Sequence, residues 1–511
     1  MNDWTSGYVT EIEYTYGYYF VLNPLRVNLA FLNAGLIAPE FGTACELGFG
    51  QGLSTNIHAS ASVTQWHGTD FNPSQAGFAQ ELALAGDTGA RLYDEAFDEF
   101  CNRSDLPDFD YIALHGIWSW ITSEDRQVIV EFIRKKLKVG GVLYISYNTL
   151  PGWAAFAPMR YLMSEHTQVM GSSGQGVISR INDALEFSNK LMKTNATYAR
   201  DIPSVVERLN GLQSLDRHYL AHEYFNKNWL PMHFSEIEQW LEPTKLEFAC
   251  SAKYLDAVDE INLTREQIAF LNGIPDPIFR ETTRDFMVNQ QFRSDYWVKG
   301  ARKLSKLAQA EALRSHKIIL VTPRPDISTK VKGALGEATF SETVHASILD
   351  CLSDYQPKTL GQIEQEVKKK DVTFAQLMQA VLLLSGAGHL DLVQDERVIA
   401  KAKKQTDKLN AHLCKKARGS NELTYLASPV TGGGVAVNRF QQMFLVSIAQ
   451  GLKQPADWAQ AVWQVLDIQG QKVSKEGKVM ETPEENLTEL TAQAQSFAEK
   501  LLPILKALQV I

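Results

Sequence analysis

From residue 41 onward, short apolar runs alternate with amphipathic stretches, the pattern of a parallel sheet flanked by helices. Five runs read as strands: Thr43 to Leu47, Gln65 to Thr69, Ala90 to Tyr93, Asp110 to Leu114 and Val142 to Ser146. Between the last two, Glu124 to Leu137 has apolar residues at helical spacing, with Gly140-Gly141 beyond it as the C-terminal stop. Residues 1–160 are therefore expected to form an α/β Rossmann-like domain.

After Arg160 strands become rare. A Gly/Ser loop from Gly171 to Gly176 precedes helical segments such as Ile178 to Lys193, and a mostly helical middle domain is expected over 161–300, closed by the dense mixed segment Arg284 to Trp297. Residues 301–511 read as a further domain. Within it, Ser341 to Leu352, Leu360 to Val367 and Thr373 to Leu384 are helix-like, and the apolar stretch His389 to Val393 starts a small hairpin, the order of a winged-helix-like unit near 340–400. The lysine-rich run from Lys401 to Arg418 reads as a solvated helix face or mobile loop rather than a binding arm. Thr482 to Leu502 reads as an amphipathic helix that stops or kinks at Pro503. No repeat recurs at a fixed period.

A chain of 511 residues is too long for one core, and its apolar and charged fractions are those of a folded globular protein. The net charge of -9 argues against wrapping nucleic acid, which needs Lys and Arg on phosphates. Five scattered cysteines without a C-x-x-C pair read as reduced thiols, and Met1 to Trp4 lacks the basic start of a secretory signal. Apolar stretches such as Ala380 to Leu384 fall far short of the roughly 20 residues that span a bilayer. A cytoplasmic protein without membrane insertion is expected.

The chemistry concentrates where the first strand turns into a helix. Glu46-Leu47-Gly48-Phe49-Gly50-Gln51-Gly52 has glycines at alternate positions, as a loop needs when it turns tightly and lets a ligand lie against its backbone. Dinucleotide enzymes usually carry the third glycine one place later, where this chain has Leu53. Glu46, opening the loop, would repel a pyrophosphate but suits the cationic amino-acid end of a sulfonium cofactor. The loop favours S-adenosylmethionine over NAD. Asp70 ends the second strand roughly 20 residues further on, where a carboxylate reaches ribose hydroxyls, and Phe71 follows it. Ala96-Phe97, after the third strand, is placed against adenine.

His115-Gly116-Ile117-Trp118-Ser119-Trp120 and Ser146-Tyr147-Asn148-Thr149-Leu150-Pro151-Gly152-Trp153 end the fourth and fifth strands, on the carboxyl edge where open α/β sheets bind ligands. With Tyr14, Tyr16, Tyr18, Tyr19 and Phe20 upstream, aromatic faces are dense there, and such faces attract cations. Such a pocket suits a lysine acceptor, which must be held as the neutral amine. Tyr18, Trp118 and Tyr147 are the candidates for an acceptor channel. His115 is a candidate base or an orienting histidine. The cofactor candidates are Tyr16, Glu46, Gly48, Phe49, Gly50, Gln51, Gly52, Asp70, Phe71, Ala96, Phe97, His115 and Gly116. His218 and His222 stand four apart with Glu223 next, but the intervening Tyr219, Leu220 and Ala221 look like packing, and no metal is assigned.

The run His115 to Trp120, with Ser146-Tyr147-Asn148 and Pro151-Gly152-Trp153, resembles bacterial methyltransferases that carry a methyltransferase regulatory domain, whose best-known members are rickettsial outer-membrane-protein lysine methyltransferases. Tyr219 to Tyr224 with Trp229-Leu230-Pro231 and Phe234 resembles the core of that domain, and Arg284-Asp285-Phe286 with Phe292-Arg293 its end. Ser428-Pro429-Val430 and Gly432-Gly433-Gly434 resemble a segment of the family's C-terminal domain. Phe49 stands where related loops often have cysteine. The resemblance implies a methyltransferase domain, a helical middle domain and a C-terminal domain with a winged helix, using S-adenosylmethionine and releasing S-adenosylhomocysteine. It suggests lysine of a protein or peptide, such as a bacterial surface protein, as acceptor. The rival expectations are methylation of a small molecule or peptide intermediate, and a cofactor-sensing regulator that contacts DNA.

Overall fold

The computed structural model describes residues 12, 15–172 and 174–511, so Tyr14 lies outside the described residues. Its centre is a seven-stranded sheet in the order β3-β2-β1-β4-β5-β7-β6. The first five strands are β1 (Thr43–Leu47), β2 (Gln65–Thr69), β3 (Arg91–Tyr93), β4 (Phe109–Leu114) and β5 (Leu137–Asn148). They pair in parallel, and the interior strands are buried nearly throughout, as strands covered on both faces must be. Helices α1 (Pro24–Asn33), α2 (Leu53–Ala61), α3 (Pro73–Gly86), α4 (Phe97–Cys101) and α5 (Ser123–Lys136) precede or connect these strands.

Two strands come from the segment expected to be helical. β6 (Leu246–Ser251) and β7 (Phe292–Lys299) complete the sheet, β7 running antiparallel to both β5 and β6. The sheet therefore does not close at residue 160. β7 is buried along almost its whole length because it sits between two strands. Gly140-Gly141 does not stop α5, which ends at Lys136 with β5 starting directly behind it; the glycines lie in a register shift of β5 between Phe109 and Tyr111 of β4.

The helix Val177–Lys193 packs with neighbouring helices around Trp153, Phe156 and Tyr224. Further on, Glu342–Cys351, Leu360–Val367 and Phe374–Gly386 are helices. Leu390–Leu392 pairs backwards with Lys317–Leu320 and opens no hairpin, because the helix Glu396–Lys416 follows at once. That lysine-rich helix lies on α2 and α3. Its apolar side joins Leu53, Ile57 and Leu82 in one core, while Lys408 and Lys416 reach Asp87 and Glu81. The helix beginning at Pro483 passes through a π-helical turn, Phe497–Leu501, before Pro503, the response expected of a ladder that loses one N–H. No helix among the described residues is long and apolar enough to cross a membrane.

Candidate active site

The loop leaving β1 is held open by its glycines. Gly48, Gly50 and Gly52 all have positive φ (71°, 58° and 67°). A Cβ on Gly52 would lie 2.4 Å from that of Ala79, and one on Gly48 2.7 Å from Ile117 Cδ1. Asp70 closes the loop from β2: one carboxylate oxygen accepts the Gly50 N–H (2.8 Å) and the other the Asn72 N–H (3.0 Å). Burial pushes the Asp70 carboxyl up to about 7 even against these bonds. Glu46, also buried, accepts the Thr55 hydroxyl. Burial pushes it up to about 8, and the charge of Asp70 adds to the shift.

Around this loop lies a cavity at the carboxyl edge of the sheet. Glu46, Gly48, Phe49, Gly50, Gln51, Asp70, Phe71, Ala96, Phe97, His115 and Gly116 line it. Gly116 (φ 67°) has its N–H on the Ser146 hydroxyl (2.8 Å), and a Cβ there would meet nothing within 4 Å. His115 Nδ1 lies 2.8 Å from the Tyr144 hydroxyl, and the Tyr19 ring covers the imidazole with centroids 4.0 Å apart. Burial, with the charge of Lys253 behind it, pushes His115 down to about 3, so the ring stays neutral at ordinary pH.

Part of the lining lies outside the candidate residues, although Tyr19 and Trp120 belong to the aromatic set expected at this edge. Tyr19, Asn72, Gln75, Trp120, Thr122 and Asp125 contribute, as do His222, Glu223 and Asn228 from the middle segment. In the sequence His222 and Glu223 stand out as a weighed metal pair and as part of the run that resembles the regulatory-domain core, neither of which points to the cavity. His222 Nε2 lies 3.2 Å from the Ile12 carbonyl, and Glu223 faces the cavity with its carboxyl pushed up to about 7 by burial, opposed by Arg160. Among the described residues no group of three or more His, Cys, Asp or Glu side chains is arranged to hold a metal.

Several predicted residues lie elsewhere. Trp118 is fully buried against Trp240, with Arg126 Nε donating to its carbonyl (3.1 Å). Tyr147 points to the face of β5 opposite Ser146 and donates to Asp295 Oδ2 (2.8 Å), itself bound by Arg293 (2.8 Å). Neither can line an acceptor channel. Tyr16 packs edge-on against Phe78 and does not line the cavity. Gly52 supports the turn without lining the cavity. Tyr18 rests on Tyr425 and on Gly433 and Gly434, where a Cβ would come within 2.6 and 2.9 Å of its side chain. Trp120, which lines the cavity, carries one of the protein's own cations, Arg160 (5.4 Å), which also lies over Trp229 (4.4 Å), while Arg208 lies over Trp153 (3.9 Å) in the helical core.

Tyr18 does line a second cavity, which abuts the first where both share Tyr19 and His115. Its walls come from α1, the turn at Tyr254–Ala257, β7 and the hairpin at Lys332–Ala334.

This strand order, with an antiparallel seventh strand and a glycine loop after β1, is a methyltransferase fold. Residues 216–299 match the family described as a predicted methyltransferase regulatory domain, a stretch that includes β6, β7 and the helix bearing Glu223. The chain is 42% identical over 512 residues to an uncharacterized protein of Synechocystis sp., with 99% of each chain covered. A Rickettsia prowazekii protein is 25% identical over 323 residues, covering 60% of this chain and 56% of the other. Among solved structures, PKMT2 from Rickettsia typhi, described in complex with AdoHcy, superposes with a TM-score of 0.69 at 17% identity over 96% of this chain and all of that one. The chain belongs to the bacterial family that joins a methyltransferase fold to this regulatory domain.

Proposed function

We propose that the protein is an S-adenosylmethionine-dependent methyltransferase, with the cofactor in the first cavity and the acceptor approaching across Tyr19 and His115. The observation that carries this reading is the pair of buried carboxyls, Glu46 and Asp70, on either side of a left-handed glycine loop. Once ionised, these two buried acids suit a ligand that brings hydroxyls and a positive charge, and would repel a pyrophosphate. The donor set thus fits the cofactor named with the Rickettsia typhi structure. Asp70, already fixed by two backbone N–H groups, would take ribose hydroxyls; Glu46 would face the amino-acid end; Phe71, Ala96 and Phe97 would flank adenine.

When bound, S-adenosylmethionine supplies an electrophilic methyl: the acceptor's lone pair forms the new bond as the carbon–sulfur bond breaks, and S-adenosylhomocysteine leaves. The protein's part is orientation and exclusion of water. Neutral His115, tied to Tyr144 and covered by Tyr19, orients the lining that the two cavities share and acts by positioning rather than as a base. Glu223 is the group placed to receive a proton, with its carboxyl held near neutrality.

Glu223 also favours protein-lysine N-methylation as a second reading, since a lysine amine must lose a proton before attack. Of Tyr18, Trp118 and Tyr147, Tyr18 alone lines a cavity, the second one. The helices and strands near 340–400 are read as a winged-helix-like unit that contacts the rest of the protein.

Calorimetric titration with S-adenosylmethionine and NAD in parallel tests the cofactor reading, with Asp70→Ala as control. Binding of the methyl donor alone, lost in the variant, supports it; NAD binding in its place overturns it.

A further inference from the structure

The second cavity has a chemical character of its own. Arg26, Lys253, Arg284 and Lys332 line it, against one lining carboxylate, Asp256, which accepts the Ser251 hydroxyl (2.9 Å). Two of the cations have an acid nearby: Arg26 Nη1 is 3.2 Å from Asp391, and Arg284 Nη2 is 3.7 Å from Asp259. Lys253 is engaged differently. Its ammonium donates to the Phe292 carbonyl (3.0 Å) and lies 5.0 Å from the Phe292 ring centroid, and neither contact neutralises its charge. Its field reaches the shared wall, since it helps to hold His115 neutral.

Arg26 supplies an independent sign. Its side chain is 5% exposed, its guanidinium lies 4.6 Å from the Phe20 ring centroid and 4.2 Å from that of Tyr254, and its Nε is buried with no hydrogen-bond partner among the described residues. A buried guanidinium N–H without an acceptor costs free energy unless something supplies one. An incoming oxyanion would do so, and the rings already hold the guanidinium plane in place for it.

We infer that the second cavity is an acceptor subsite for a small molecule bearing an oxyanion, a carboxylate or a phosphate, held by Arg26, Lys253 and Arg284 beside the methyl-transfer centre. This rests on the methyltransferase reading for its role, though not for its existence. It names an acceptor class and counts against the protein-lysine reading: the charge of Lys253, which no acid in the lining neutralises, draws an anionic metabolite rather than a protonated lysine.

The test is calorimetric titration of the full-length protein with inorganic phosphate and, separately, with succinate, each repeated on Lys253→Gln and on Lys332→Gln, the latter altering an exposed strand position. Saturable binding of at least one anion, weakened about tenfold by Lys253→Gln, as loss of a charge-assisted hydrogen bond would do, supports the site, and the stronger ligand tells carboxylate from phosphate. Absence of saturable binding, or equal affinity in the parent and both variants, overturns it. S-adenosylmethionine titrations on the same samples read the first cavity and report that each variant is folded. Anion binding without cofactor binding would sink the methyl-transfer reading and leave the anion site standing; the converse would sink the anion site alone.

Discussion

The Tyr19 ring lies over the His115 imidazole, centroids 4.0 Å apart, and this pair lines both cavities. A histidine so covered, and pushed down to about 3, does not ionise between pH 5 and 8. His115→Ala is therefore expected to lower the methyl-transfer rate by about tenfold through lost positioning, while leaving the shape of the pH–rate profile unchanged. A missing limb in the variant's profile would instead make His115 the base.

Glu223 should supply that limb. Its carboxyl, pushed up to about 7, accepts a proton only when ionised, so the rate should rise with pH through that value. Glu223→Gln should flatten the rise and lower the plateau, measured as kcat across pH 5.5 to 9. A rise that persists in Glu223→Gln assigns the ionisation to another group.

Cofactor affinity should itself depend on pH. Glu46 and Asp70 are pushed up to about 8 and about 7, and a cationic, hydroxyl-bearing ligand favours their ionised forms. Binding should strengthen from pH 6 to 8 with release of protons, detectable as buffer-dependent heats of binding. The sign for stability is opposite. A carboxyl whose folded value is raised stabilises the fold below its unfolded value and loses that contribution as pH rises through the folded one. The free protein should thus become less stable between about pH 4.5 and 8, and the cofactor should offset the loss. A flat melting temperature across this window would contradict the assignment.

Arg293 binds Asp285 (2.7 Å), Asp295 (2.8 Å) and Glu281 (3.1 Å), with Tyr147 donating to the same Asp295 oxygen. Arg293→Leu leaves buried carboxylates uncompensated and should cost about 3 to 5 kcal/mol of stability by chemical denaturation. Tyr147→Phe removes one hydrogen bond, should cost about 1 to 2 kcal/mol, and should leave methyl transfer unchanged. A large loss of activity in folded Tyr147→Phe would return that residue to the site.

Gly52→Ala places a methyl 2.4 Å from the Ala79 Cβ at a left-handed φ. Helix α3 must then move, and both melting temperature and cofactor affinity should fall together. An unchanged cofactor affinity in this variant would show that the loop tolerates displacement of α3.

The sequence by itself determined what depends on local backbone chemistry. Alternating glycines between an acid and a helix start identify a left-handed ligand loop, because only glycine takes those φ values cheaply, and β1 to β5 are legible as buried runs ending at one edge. The tertiary structure decided whatever depends on direction and on distant pairing. β6 and β7 were hidden because their sheet partners lie far away in the sequence and short buried strands carry little period of their own. Tyr147 and Ser146 are neighbours at the same strand end, yet the pleat sends one into a buried ion network and the other to the Gly116 N–H at the site. The middle segment brings Glu223 to the first cavity and Lys253 to the second, and the pattern of residues on either segment alone does not say that they will line adjoining cavities. That encounter is fixed by how the segments pack on the carboxyl edge of the sheet, which a one-dimensional pattern does not encode.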